Sequence, residues 1–205
     1  MNGLYEVVTL DVALWAAREV LPRLEAYFAQ GFQCGEMLGC WEMDIGVQQR
    51  LVLLRRFPEL RALSAERQKL LTSADPFEAG RWLKQMKLET YLSFPFMPPV
   101  EPAAQNSVFE FRYYDLVAGG LSPTLAAWEA TLPKRTPVSP VMAAMYALDG
   151  IPRILHIISY TDLDARRDVR AQLYREGRWP PPGAPEQVRA AHAEIGYSKR
   201  ISPAG

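Results

Sequence analysis

One order of segments occurs twice in this chain, and a duplicated sequence confines the fold to two like units that must accommodate each other. Leu4-Tyr5-Glu6-Val7-Val8-Thr9-Leu10 returns as Val108-Phe109-Glu110-Phe111-Arg112-Tyr113-Tyr114, an offset of 104 residues. Arg50 to Leu60 returns as Arg153 to Leu163 at an offset of 103, and a slip of one residue is easily absorbed by a loop. Each copy opens on a strand-like run that leads into a helix-like one.

In the first copy residues 4–10 read as a strand. Asp11 is placed to cap a helix over 12–30, where Leu14, Trp15, Val20, Leu21, Leu24, Tyr27 and Phe28 recur with helical period. Pro22 should kink that helix or delay its start. Residues 37–43 and 50–57 are short apolar runs joined around Asp44-Ile45-Gly46, the pattern of an antiparallel hairpin. Pro58 opens a helix to about residue 71, Asp75-Pro76 opens another to about 87, and 89–96 closes as a strand. The second copy follows with a strand at 108–114, a helix near 122–132, strands at 142–148 and 153–160, and a helix from 161 or 162. Its last segment, about 185–194, reads as a helix preceded by the stiff insertion Trp179-Pro180-Pro181-Pro182-Gly183. Residues 97–102 are a short Pro-rich link, so the expected domains are 1–100 and 101–205.

Composition narrows the functional classes. With 49% hydrophobic and 22% charged residues in 205, the chain lies in the ordinary globular range. Lys plus Arg equals Asp plus Glu at 23 each, with no extended basic run, so a nucleic acid partner is not expected. No stretch approaches the roughly 18 apolar residues of a membrane span, and the N-terminus lacks a targeting pattern, which makes the cytoplasm the expected location. Cys34 and Cys40 do not have Cys-x-x-Cys spacing, and the chain's only histidines are His156 and His192. Neither a metal nor a cofactor is expected. P-loop, G-x-S-x-G and G-x-G-x-x-G stretches do not occur.

The β-α-β-β-α-β order is the ferredoxin-like arrangement, in which helices cover one face of an antiparallel sheet and leave the other bare. A bare apolar face needs a partner. Two such units in one chain satisfy each other sheet to sheet, so the expected class is α+β: two tandem ferredoxin-like units forming a dimeric α/β-barrel within one polypeptide. Tyr5-Glu6-Val7, the run from Phe109 to Tyr114, Leu38-Gly39-Cys40-Trp41, the Asp44-Ile45-Gly46 turn and the paired Arg67 and Arg170 resemble the NIPSNAP family. That resemblance implies tandem units of this fold and a family role that is largely undefined. Its superfamily also holds cofactor-free monooxygenases, isomerases and haem-binding enzymes.

Strand alternation places Glu110, Arg112 and Tyr114 on one face and Phe109, Phe111 and Tyr113 on the other. The aromatic row is assigned to the helices and the polar row to a cavity. His156 and Tyr160 share a face of the 153–160 strand. The first copy has Glu6, Val8 and Leu10, and Leu51, Leu53, Arg55 and Phe57, at the equivalent positions, so a site belongs to the second copy. The candidate site is Arg112 as anion holder and His156 as acid or base, the catalytic pair, with Glu110, Tyr114, Tyr146 and Tyr160 as ligand-binding walls. A plainer alternative pairs Glu110 with Arg112 as a structural ion pair. Arg67 and Arg170 read as structural, and Trp179 as a loop anchor or a cover for the cavity. The functional expectation is a protein of undefined activity that binds a small organic molecule in the second unit. The alternative is a cofactor-independent monooxygenase or isomerase acting on an aromatic or polyketide-like compound. Enzyme or non-enzyme, monomer or homodimer, stay open at this point.

Overall fold

The computed structural model describes residues 3–31, 33–103 and 108–201. Eight strands form the framework: β1 (Leu4–Val12), β2 (Glu36–Ile45), β3 (Arg50–Phe57), β4 (Leu83–Ser93), β5 (Val108–Leu116), β6 (Ala143–Ala147), β7 (Arg153–Tyr160) and β8 (Val188–Lys199). They close into an antiparallel barrel in the order β1-β3-β2-β8-β5-β7-β6-β4. Cut at its two seams, the barrel gives β4-β1-β3-β2 and β8-β5-β7-β6, the same ferredoxin-like order twice. The seams are β2 on β8 and β4 on β6. Each edge strand of one half thus finds an edge strand of the other, and closure removes the unpaired backbone that an open sheet would present.

Outside the barrel lie α1 (Ala17–Ala29), α2 (Leu60–Thr72), α3 (Leu121–Arg135), α4 (Leu163–Arg175) and the single turn α5 (Ala184–Gln187). Asp162 caps α4 by accepting the Ala165 amide at 2.7 Å. Asp11 does not cap α1. Strand β1 runs on to Val12, the helix begins at Ala17, and Asp11 pairs with Arg50 at 2.7 Å. Pro22 is accommodated inside α1.

Two expected helices are strands. The stretch opened by Asp75-Pro76 makes only two 3₁₀ turns, closed by the Gly80 amide donating to Asp75 Oδ1 at 2.6 Å, and then runs as β4 along β1. The stretch expected as a helix over 185–194 is helical only to Gln187 and continues as β8, paired with both β5 and β2. Runs such as Ala190-Ala191-His192-Ala193-Glu194 favour a helix locally, but each half needs its fourth strand, and long-range pairing outweighs a propensity of a few tenths of a kcal/mol per residue.

The interior of the barrel is packed. Tyr5, Val7, Trp41, Val52, Leu54, Tyr91, Phe109, Phe111, Leu155 and Ile157 form one buried cluster, with Trp41 edge-on to Phe109 and Phe111 at 5.4 and 5.0 Å. This reverses the expected faces of β5. The aromatic row fills the barrel, and Glu110, Arg112 and Tyr114 point out toward α3 and α4. The physical reason is that the space between two sheets offers no helix-borne partners for charge, so it takes rings, while arginines on the covering helices can reach the outer face.

Candidate functional site

The site is built on the outer face of the second half. Register sets Arg112 opposite His156, Tyr114 opposite Ile154 and Glu110 opposite Ile158, so these side chains share one surface of β5 and β7. Above them α3 lays down a stripe of Thr124, Trp128, Thr131 and Arg135, spaced to fall on one side of a helix and all buried. From α4 come Arg166, Arg170 and Tyr174, four residues apart and therefore on one face. The Pro-rich insertion folds back over this layer. Trp179 meets Trp128 edge to face at 4.7 Å, and the Arg135 guanidinium lies 4.7 Å over the Trp179 ring.

These elements enclose a cavity of about 110 Å³ lined by Arg112, Tyr114, Trp128, Tyr174, Trp179 and Pro181, among others. Its apolar walls are rings and prolines, and its polar end is the Arg112 Nη1 donating to the Tyr114 hydroxyl at 3.2 Å. A wider cleft of about 490 Å³ opens at one end of the barrel beside Arg50, Glu89, Tyr113, Arg153 and His192. Its arginines already bridge the halves, Arg50 to Glu194 at 2.6 Å and Arg153 to Glu89 at 2.5 Å.

Of the residues proposed from sequence, Arg112 and Tyr114 line the small cavity. His156 sits one layer deeper, with ring centroids of Trp128 and Tyr114 at 4.9 and 5.2 Å. It is fully buried, and neither ring nitrogen has a hydrogen-bond partner among the described residues. Burial, with Arg112 and Arg135 nearby, holds its pKa well below the usual 6.5, so the imidazole is neutral at pH 7 rather than a ready proton donor. Glu110 lies farther along β5, fully buried, with Arg112, Arg166 and Arg170 at 3.1, 2.5 and 3.4 Å. The Tyr160 hydroxyl is 3.5 Å from Glu110, and burial together with that carboxylate raises its pKa. Tyr146 stays on the β6 side of the same apolar cluster, tilted against Phe94 at 6.5 Å, and does not line the cavity. Sequence reasoning did not find Arg135, Arg166, Tyr174 or Pro181. Arg166 was detectable, because its counterpart in the first copy is Leu63.

The first half supplies a built-in comparison. Arg67 reaches Glu6 at 3.0 Å as Arg170 reaches Glu110, so both paired arginines are strand-to-helix ties. Where the second half has its cavity, the first is filled by Val8, Leu10, Val20, Leu24 and Leu53, with Phe77 wedged in from the turn before β4. No group of three metal-ligating side chains occurs among the described residues, and no helix is long and apolar enough to cross a membrane.

Solved structures of the same architecture include a candidate monooxygenase from Lactobacillus acidophilus. It has 10% identity and TM-score 0.69, with 97% of this chain and 94% of that one covered. An anthrone oxidase-like protein gives 9% identity and TM-score 0.66 over 98% and 92% of the chains. A heme-binding protein from Thermus thermophilus gives 15% and 0.56 over 98% and 93%. These likenesses show the fold alone. No curated protein matches the chain in sequence. The NIPSNAP family model matches residues 109–203, which begin with the aromatic and polar rows of β5 and end beyond β8. The second of the two units that together form this dimeric α/β-barrel is thus similar to the NIPSNAP family over residues 109–203.

Proposed function

We propose that this protein binds one compact organic molecule in the cavity between the sheet and helices of its second unit. The observation that carries the reading is the contrast between the halves. One sheet-to-helix layer is plugged by Val8, Leu10 and Phe77, while the other leaves an aromatic-walled space ending on Arg112 and Tyr114. A volume of about 110 Å³ is below the roughly 300 Å³ of drug-sized ligand sites, so the ligand is about the size of one substituted ring. Trp128, Trp179 and Pro181 give that ring flat apolar surfaces, and Arg112 with Tyr114 fixes its polar end.

Haem does not fit this arrangement. The macrocycle far exceeds the cavity, and His156 is sealed behind Trp128 and Tyr114. The similarity in fold to oxidase-like and monooxygenase-like proteins leaves an oxygenase or isomerase as a second reading. A proton acceptor opening onto the cavity would favour it, and His156, enclosed and made less basic by burial, does not supply one.

A thermal-shift screen of single-ring compounds tests the binding reading. Wild type should be stabilised by some members, by about 2.7 kcal/mol at a hundredfold excess over Kd. Ala127→Leu, which fills the cavity from α3, should fold and lose every such shift. Shifts that survive in Ala127→Leu would place binding elsewhere and refute it.

A further inference from the structure

The two halves balance charge differently at the same place in the fold. In the first, Glu6 faces Arg55 and Arg67, and a second carboxylate, Glu66 of α2, pairs with Arg55 and also accepts the backbone amides of Cys34 and Gly35. Two carboxylates meet two guanidinium groups. In the second half Glu110 alone faces Arg112, Arg166 and Arg170. Arg135 lies in the same layer, 2% exposed, with Ser139 Oγ at 3.4 Å and the Tyr160 hydroxyl as hydrogen-bond partners and no carboxylate in ion-pair contact among the described residues. Three guanidinium groups meet one carboxylate, those of Arg166 and Arg170 partly exposed, and a fourth, that of Arg135, lies beside them. The duplication identifies how this arose: the Arg55–Glu66 pair is replaced by Ile158 and Val169, Arg112 and Arg166 stand where the first half has Val8 and Leu63, and Arg135 is added from α3.

A buried surplus of positive charge is costly unless an anion offsets it. Burial lowers the Arg135 pKa, the direction expected of a cation short of a counter-charge, whereas at Arg112 the nearby Tyr114 and Glu110 outweigh burial and raise it. The Nε groups of Arg112, Arg135 and Arg166 are buried without hydrogen-bond partners, and Arg112 and Arg135 are themselves more than nine-tenths buried. The surplus adjoins the cavity, since Arg112 lines it and Arg135 lies over Trp179 in its wall.

We infer that the molecule held in the second unit is an organic anion, a compact aromatic carboxylate, whose negative charge offsets the arginines added in this half. This rests on the binding reading above and adds the charge of the ligand to it. The ring occupies the space between Trp128, Trp179 and Pro181, and the carboxylate meets Arg112, with Arg135, Arg166 and Arg170 contributing field behind it.

The test compares benzoate, its neutral isostere benzamide and inorganic phosphate by calorimetry and thermal shift on the full chain at constant chloride. The expected result is benzoate binding at least about tenfold more tightly than benzamide, as for a charge-assisted rather than a neutral hydrogen bond, with phosphate weaker than benzoate. Val169→Glu places a carboxylate on α4 beside these arginines, so it should raise the thermal midpoint of the free protein and cut benzoate affinity at least about tenfold while sparing benzamide. Equal affinities for benzoate and benzamide would overturn the anion inference and leave the pocket. Absence of binding by both would overturn the pocket reading as well. Phosphate matching benzoate would overturn the aromatic class. Should Val169→Glu fail to fold, Arg166→Gln serves instead, with the same selective loss of benzoate expected.

Discussion

Acid acts on the fold through His156, while the two strand glutamates differ in their partners. The His156 imidazole is neutral when folded and titrates near 6.5 when released, so below that pH the unfolded chain binds the extra proton. Its contribution is therefore fully present above about pH 6.5 and declines as pH falls, by at most about 1.4 kcal/mol per pH unit. Denaturant titrations at pH 7.0 and 5.5 should show this loss in wild type and a smaller one in His156→Leu, while parallel losses would mean that another group governs the slope. Glu6 and Glu110 should also part company. Burial raises the Glu6 pKa despite Arg55 and Arg67, and Glu66 remains to pair with Arg55 when Glu6 is neutralised. Glu110→Gln leaves buried Arg112 with no carboxylate, so it should cost about 3 kcal/mol, with Glu6→Gln costing clearly less. Equal costs would show that the two clusters are energetically alike.

Among the elements, the seam strands decide the architecture. Gly196 of β8 sits against β2, and a Cβ there would meet the Glu42 carbonyl oxygen at 2.8 Å and the Met43 sulfur at 2.9 Å. Gly196→Ala should destabilise by roughly 1 to 3 kcal/mol, read as a lower thermal midpoint, and a neutral result would mean that the seam yields freely. The strands β1, β3, β5 and β7 were legible because their apolar runs are short and rich in branched or aromatic residues. Much of β4 and β8 was not, because Lys84-Gln85-Met86-Lys87 and Ala190-Ala191-His192-Ala193 carry local helix preference and become strands only through distant partners. For the same reason the polar row of β5 was recognised but turned the wrong way. Alternation separates two faces and does not say which one a helix will cover.

At the scale of the whole molecule, duplication was the strongest signal in the sequence, and it yielded the barrel. The halves are tied by two equivalent ion pairs, Arg50 with Glu194 and Arg153 with Glu89, around an interior of rings contributed by both. Residues 108–201 alone would expose Phe109, Phe111, Leu155 and Ile157, so that fragment should self-associate, and a stable monomer by light scattering would contradict the shared core. What duplication also exposes is the divergence of its copies, one sealed and one hollow. Where soaked benzoate is found therefore tests the difference between the two halves most directly. Crystals soaked with benzoate should show density between Trp128 and Trp179 against Arg112, and none beneath α1 of the first unit. Density confined to the cleft at the barrel end, or an unoccupied second unit at saturating benzoate, would contradict a ligand site in the hollow copy.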